Sequence, residues 1–128
     1  MERTLMILAA VNGFLAVALG AFGAHGLKTR LAALPDVAQR LEWWQTAAQY
    51  HLTHALALGL MAIVAAKVPG TAATAGGWAM LAGIVLFSGS LYGMTLTGVR
   101  ALGAITPVGG LCLLVGWCLL AVAAVRLA

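Results

Sequence analysis

Charged residues are scarce in this chain, and carboxylates are the scarcest of them. Only 8% of the 128 residues are charged, with three acids against seven lysines and arginines. A water-soluble domain carries about 25% charged residues, so this chain has too few to cover a solvated surface. The basic residues are also dispersed between apolar runs instead of clustered, which favours anchoring at a membrane interface and excludes a nucleic-acid-binding face.

Cysteine is nearly absent as well. Cys112 and Cys118 are the two present, and a six-residue separation on a helix places them roughly 240° apart around the axis, so they cannot form a disulfide with each other. We interpret both as small buried hydrophobic side chains. They indicate nothing about a redox compartment.

The sequence contains four long apolar runs without charged residues. Hydrophobic residues make up 63% of the sequence, and four runs contain no charged residue: 4–27, 43–66, 68–99 and 101–125. Each supplies the roughly 20 apolar residues that a spanning helix needs, and none is long enough for two spans and a turn. Runs of this length predict helices, because barrel strands are about 10 residues long and alternate in polarity.

We therefore predict an all-α fold, an integral membrane bundle of four transmembrane helices in a single domain over residues 1–128. An amphipathic segment, residues 27–42, is predicted to lie in the headgroup plane between the first two spans, because its leucines keep helical spacing among charged residues. The predicted spans cover about residues 5–24, 44–66, 78–97 and 102–125.

Glycine and proline set the expected helix ends. Gly26 is predicted to cap the first span, and Pro35 to open a helix that continues into the second span. That helix should end before Pro69, which cannot extend it. Residues 71–77 are predicted to form a short loop of small residues. Pro107 predicts a kink or a delayed start of the fourth span.

Four glycines are predicted helix-packing positions, because residues of this size let helix backbones approach closely in lipid. They are Gly13 and Gly20 in the first span and Gly89 and Gly93 in the third. The alternative is that they only reflect a composition rich in alanine and glycine.

Polar side chains gather in one half of the predicted bundle. Four spans place the first and third connections on the same side of the membrane. At 1.5 Å per residue, His51 lies roughly 10 Å and His54 roughly 15 Å inward from Trp44 on that side. The predicted polar cluster consists of His25, Tyr50, His51, His54, Ser88, Ser90, Tyr92 and Thr106.

The second span also has a polar face turned away from its histidines, made by Gln45, Gln49 and Thr53. An unsatisfied amide or imidazole in lipid costs several kcal/mol, so both faces should meet other helices or a partner subunit. The opposite half of the bundle offers little polarity, mainly Asn12 near mid-depth, with Trp117 as an interfacial or packing aromatic.

The histidines have two interpretations. In the structural one, His25, His51 and His54 are neutral, bond to hydroxyls and carbonyls, and fix the register of the helices. In the functional one they form a proton, metal or ligand site, since His-x-x-His with a third histidine nearby supplies three nitrogen ligands. Two histidines on different helices also suit a haem. No carboxylate or thiolate lies in the same half, so no dedicated metal site is expected.

Four ordered blocks of the sequence resemble a known family. They are residues 19–26, 44–57, 86–92 and 105–110. They look like the signature blocks of small inner-membrane proteins labelled domain of unknown function 423, which are related to the eukaryotic transmembrane protein 256. The resemblance implies a four-helix, multi-pass bacterial membrane protein. It implies no activity and no catalytic residues.

We expect a membrane protein without enzymatic activity, catalytic residues or a cofactor, because the sequence has no nucleophile–base pair and no carboxylate pair. It would serve assembly, stress response or lipid organisation through helix contacts. One alternative is a small transporter or proton-coupled permease that uses the polar half, although exporters of this size depend on a carboxylate in the first span, which this chain lacks. The other alternative is a haem- or ligand-binding membrane protein.

The expected partners are the lipid bilayer and either a second copy, giving a homo-oligomer, or another membrane protein. Nucleic acid is not expected, and the expected location is the bacterial inner membrane. Four basic residues lie on the side of the first and third connections and three on the other. The positive-inside rule then favours a cytoplasmic first connection, with dual insertion left open because the difference is one residue.

Overall fold

A computed structural model describes residues 1–127, and these residues fold into helices, which confirms the all-α prediction. Within the described residues, four helices are long and apolar enough to cross a membrane. They are α1 (Glu2–Leu31), α2 (Val37–Lys67), α3 (Ala72–Thr97) and α4 (Thr106–Ala124), the last preceded by a 3₁₀ turn over Arg100–Ala104. Helices that follow each other along the chain pack as neighbours, with α2 between α1 and α3 and with α4 against α3.

The first helix is longer than predicted. It does not end at Gly26 but passes through a π-helical turn, Gly23–Leu27, and continues to Leu31. The buried Leu27 and Leu31 pack with Trp44 of α2, and this contact stabilises the extension. The prediction of a helix cap at Gly26 was therefore wrong.

The predicted amphipathic segment, residues 27–42, is divided between two helices. Its first residues complete α1 and its last residues begin α2, so only residues 32–36 connect them. An ion pair between Asp36 and Arg40, with the carboxylate 3.0 Å from the guanidinium Nε, holds the first turn of α2. Residues 32–36 thus form a tight corner between these two helices.

Pro69 and Pro107 both lie at helix boundaries. α2 ends at Lys67, before Pro69, and Pro107 lies in the first turn of α4, which confirms the delayed start. Residues 71–77 are a different case, because α3 begins at Ala72 and the predicted loop is largely helical. In lipid a helix is the conformation that satisfies backbone groups locally, and the small residues here still allow it.

Glycines permit the closest helix contacts, but not all of those predicted. A Cβ at Gly109 of α4 would lie 2.7 Å from backbone atoms of Leu86 and Phe87 in α3. Gly20 lies near Ala48 and Gly93 near Leu102, whereas a Cβ at Gly13 or Gly89 would meet no atom within 4 Å. Gly13 and Gly89 therefore do not bring helices together within this chain, in contrast to the prediction.

Candidate functional site

His51 lies at the centre of a hydrogen-bonded line that crosses three helices. Its side chain is 4% exposed, with Nδ1 3.0 Å from the Tyr92 hydroxyl of α3 and Nε2 3.1 Å from Asn12 Oδ1 of α1. The Asn12 amide nitrogen donates to the Leu8 carbonyl at 2.8 Å, so its oxygen is the atom that faces His51. His51 Nε2 must then carry the proton, and Nδ1 accepts from Tyr92.

His54, one turn deeper on α2, has the opposite tautomer. Its Nδ1 lies 2.7 Å from the Tyr50 carbonyl, which can only accept, so Nδ1 carries the proton. The indole N–H of Trp117 in α4 donates to the remaining nitrogen, Nε2, at 3.1 Å. The Tyr50 ring stacks on His54 and on Phe87, which encloses the imidazole between α2, α3 and α4.

Hydroxyl groups complete the connections of α3. Ser88 donates to the Ala47 carbonyl of α2 at 2.8 Å. Ser90 donates to Phe87 O at 2.9 Å and lies 2.6 Å from the Thr106 hydroxyl, which joins α3 to the start of α4. These contacts lie in or just after a second π-helical turn, Ile84–Ser88. π-Helical turns are often found at functional positions.

The structure brings seven of the eight predicted cluster residues into these contacts and leaves one outside. His25 is exposed, and the hydrogen bond at this residue uses its backbone carbonyl, which accepts from the Thr29 hydroxyl. The three histidines therefore do not converge. Among residues 1–127, no group of three His, Cys, Asp or Glu side chains is placed to hold a metal ion.

Two members of these networks were not in the predicted cluster. Asn12 was placed in the opposite half, and Trp117 was interpreted as an interfacial or packing aromatic. For Asn12 the sequence did contain a signal, because it is the only amide side chain between residues 4 and 27. Trp117 carried no such signal, since an indole in a membrane helix is commonly a packing or belt residue.

A groove of about 600 Å³ opens between α2 and α4 towards the bilayer. Its wall includes Tyr50, Thr53, His54, Phe87, Leu114 and Trp117. Both nitrogens of His54 are already engaged there. The groove therefore offers apolar surface that suits a lipid chain, and it offers no free imidazole nitrogen.

Comparisons with known proteins agree with the predicted family. A family model described as protein of unknown function (DUF423) matches residues 19–110. The UPF0382 membrane protein YwdK of Bacillus subtilis is 49% identical over 125 residues, covering 97% of this chain and 98% of the relative. The UPF0382 inner membrane protein YgdD of Escherichia coli K12 is 41% identical over 127 residues, covering 98% and 92%. A relative from Staphylococcus epidermidis is 40% identical over 126 residues, covering 98% of each chain.

No solved structure matches this chain. The names of the relatives, together with four helices that are able to span a membrane, confirm the expected location in a bacterial cell membrane. The four helices therefore lie in the lipid bilayer.

Proposed function

Because this chain belongs to the DUF423 family, whose description names no biochemical activity, we propose that it is a non-enzymatic membrane protein that acts through the contacts of its helices. In this proposal the side-chain hydrogen bonds of the polar half fix the positions of α1 to α4 relative to one another. The outer helix faces carry the function, in assembly, stress response or lipid organisation. Their partners are lipid and either a second copy of the chain or another membrane protein.

The observation that carries the proposal is the saturation of both buried histidines. All four ring nitrogens of His51 and His54 have partners inside the chain. A metal ion or a haem needs a free nitrogen lone pair, and at either histidine it would first have to displace a tyrosine or a tryptophan. Among residues 1–127, no buried side-chain nitrogen or oxygen lacks a hydrogen-bond partner, which favours a structural role for the whole cluster.

Nitrogen-15 NMR of histidine-labelled protein in lipid nanodiscs at pH 7.5 tests this proposal. We expect a proton on Nε2 of His51 and on Nδ1 of His54, with spectra that do not change when Zn²⁺ or haemin is added. The exposed His25 serves as the control, because its ring is free to respond to Zn²⁺. A shift of the His51 or His54 signals on addition of either compound, or a haem absorption band that His54→Gln abolishes, would overturn the structural role.

A further inference from the structure

A groove follows the junction of α1 and α2, close to the corner that joins these helices. Its volume is about 390 Å³, and ligand clefts commonly have about 300–1,000 Å³. Much of its wall is glycine and alanine, namely Gly20, Gly23, Ala24 and Ala48. A Cβ at Gly20 would meet only the Cβ of Ala48, at 4.0 Å, so these small side chains leave the groove open between the two backbones. We refer to it as the α1–α2 groove.

The α1–α2 groove changes from polar to apolar along its length. Lys28, near the end of α1, lies at one end, and Gly20 lies at the other. At 1.5 Å per residue, these two positions are about 12 Å apart along α1. Gln45 lines the groove between them, next to Trp44 in α2. Lysine near the end of a membrane helix reaches to the interface, so the groove leads from the headgroup layer into the hydrocarbon.

The charge at the polar end of the groove is not neutralised within residues 1–127. The ion pairs in this part of the chain use the carboxylates of Glu2 and Asp36, and neither includes Lys28. The remaining acid, Glu42, is exposed and is not part of the groove wall. It lies roughly 100° around α2 from Leu41, which does line the groove. The groove therefore presents one positive charge and suits a ligand with a negative one.

We propose that the α1–α2 groove binds one anionic phospholipid from the bilayer leaflet on the side of the first connection. The Lys28 ammonium pairs with the lipid phosphate, as basic pockets between membrane helices do with anionic headgroups. Gln39 is the one glutamine of three with a side-chain hydrogen bond among the described residues, so the Gln45 amide is available to donate to a glycerol ester carbonyl. One acyl chain lies along the small residues towards Gly20. A headgroup that carries its own ammonium, as in phosphatidylethanolamine, is disfavoured because it places a second cation near Lys28.

This inference rests on the proposed role in lipid organisation and names the class of lipid. Native mass spectrometry of the detergent-purified chain, titrated with phosphatidylglycerol or phosphatidylethanolamine, tests it. We expect one phosphatidylglycerol to bind more tightly than phosphatidylethanolamine. Lys28→Gln should weaken its binding roughly 5-fold. Arg30→Gln is the matched control, because it removes the same charge from an exposed position of the same helix that does not line the groove, and it should leave binding unchanged.

A second pair of variants checks the acyl chain. Ala24 and Ala21 are both exposed on α1, and only Ala24 lines the groove. Ala24→Leu should therefore weaken phosphatidylglycerol binding, whereas Ala21→Leu should not.

Three results would each overturn the inference. They are equal binding of the two lipids, equal losses for Lys28→Gln and Arg30→Gln, and displacement of the lipid by glycerol phosphate, which has the phosphate without acyl chains. Thermal unfolding of each variant shows that the fold is retained. The histidine spectra of the previous test do not depend on bound lipid, so the two proposals fail separately.

Discussion

At the scale of single residues, the chemistry of each buried histidine is set by what its two nitrogens meet. His51 and His54 are three residues apart on α2, yet one is protonated on Nε2 and the other on Nδ1. The difference follows from a side-chain amide oxygen near one ring and a backbone carbonyl near the other. Identical residues in one helix therefore have distinct and separately testable environments.

Asn12→Ala should destabilise the protein by about 1–2 kcal/mol, because it leaves the N–H of His51 without an acceptor in a buried site. Unfolding in mixed detergent micelles measures this cost. Thr29→Val is the control, since the Thr29 hydroxyl bond lies at the surface and its loss should change stability by less than about 0.5 kcal/mol. In a double-mutant cycle with His51→Leu, the two losses should not add, and additive losses would contradict the hydrogen bond.

Trp117→Phe removes the indole N–H and keeps an aromatic ring. We expect a loss of about 0.5–1.5 kcal/mol and a free Nε2 on His54 that binds added Zn²⁺ or haemin, as seen by nitrogen-15 NMR. Trp78→Phe is the matched control, because the Trp78 ring is 43% exposed and lies outside the histidine networks. Equal effects of the two substitutions would mean that the Trp117 bond to His54 contributes nothing specific.

At the scale of helices, the sequence was informative about spans and boundaries and uninformative about contacts. Length, lack of charge and proline positions were sufficient for four helices and for the ends of α2 and α4. The π-helical turns at Gly23–Leu27 and Ile84–Ser88 could not be predicted, because helical periodicity in the sequence does not indicate a locally wider turn. The contact of Trp44 with α1, which accompanies the first turn, depends on tertiary packing.

For the polar cluster, too, the sequence predicted position along the helices but not the hydrogen-bond partners. Its depth along α2 followed from residue counting, so His51, His54 and the hydroxyls of α3 were found together. Which partner each one bonds to depends on the rotation of neighbouring helices about their axes. That rotation cannot be predicted when each span of the sequence is considered separately. Asn12 and Trp117 were assigned to other roles for this reason.

Substitutions at two glycines test whether a glycine is required for close helix packing or only reflects a glycine-rich composition. Gly109→Ala should destabilise the protein by about 1–3 kcal/mol or more, because its Cβ would press on the backbone of α3, which cannot move aside as a side chain can. Gly13→Ala should be neutral or should stabilise by about 0.5–1 kcal/mol, since the site is open and alanine favours the helix. Thermal unfolding in detergent distinguishes the two sites. Unchanged stability of the Gly109→Ala protein would show that close approach at Gly109 is not required.

At the scale of the whole molecule, four spans place both termini on the same side of the membrane. A reporter enzyme that is active only outside the cytoplasm can be fused to each terminus in turn, or inserted at Ala33 in the corner between α1 and α2. The two terminal fusions should be equally active or equally inactive. The insertion should be inactive where the terminal fusions are active, and active where they are inactive. The basic residues predict the insertion on the cytoplasmic side. Unequal activity at the two termini would contradict four spans.

The hydrogen-bonded line through His51 has a consequence for the electrical tightness of the membrane. A relay that carries protons needs every member to accept one on one side and release another on the other side. The line from Tyr92 ends at the Asn12 amide and the Leu8 carbonyl, and neither group can pass a proton onward at ordinary pH. The line by itself therefore does not form a continuous proton relay. A membrane that stores energy as a proton gradient would then not lose protons along this line.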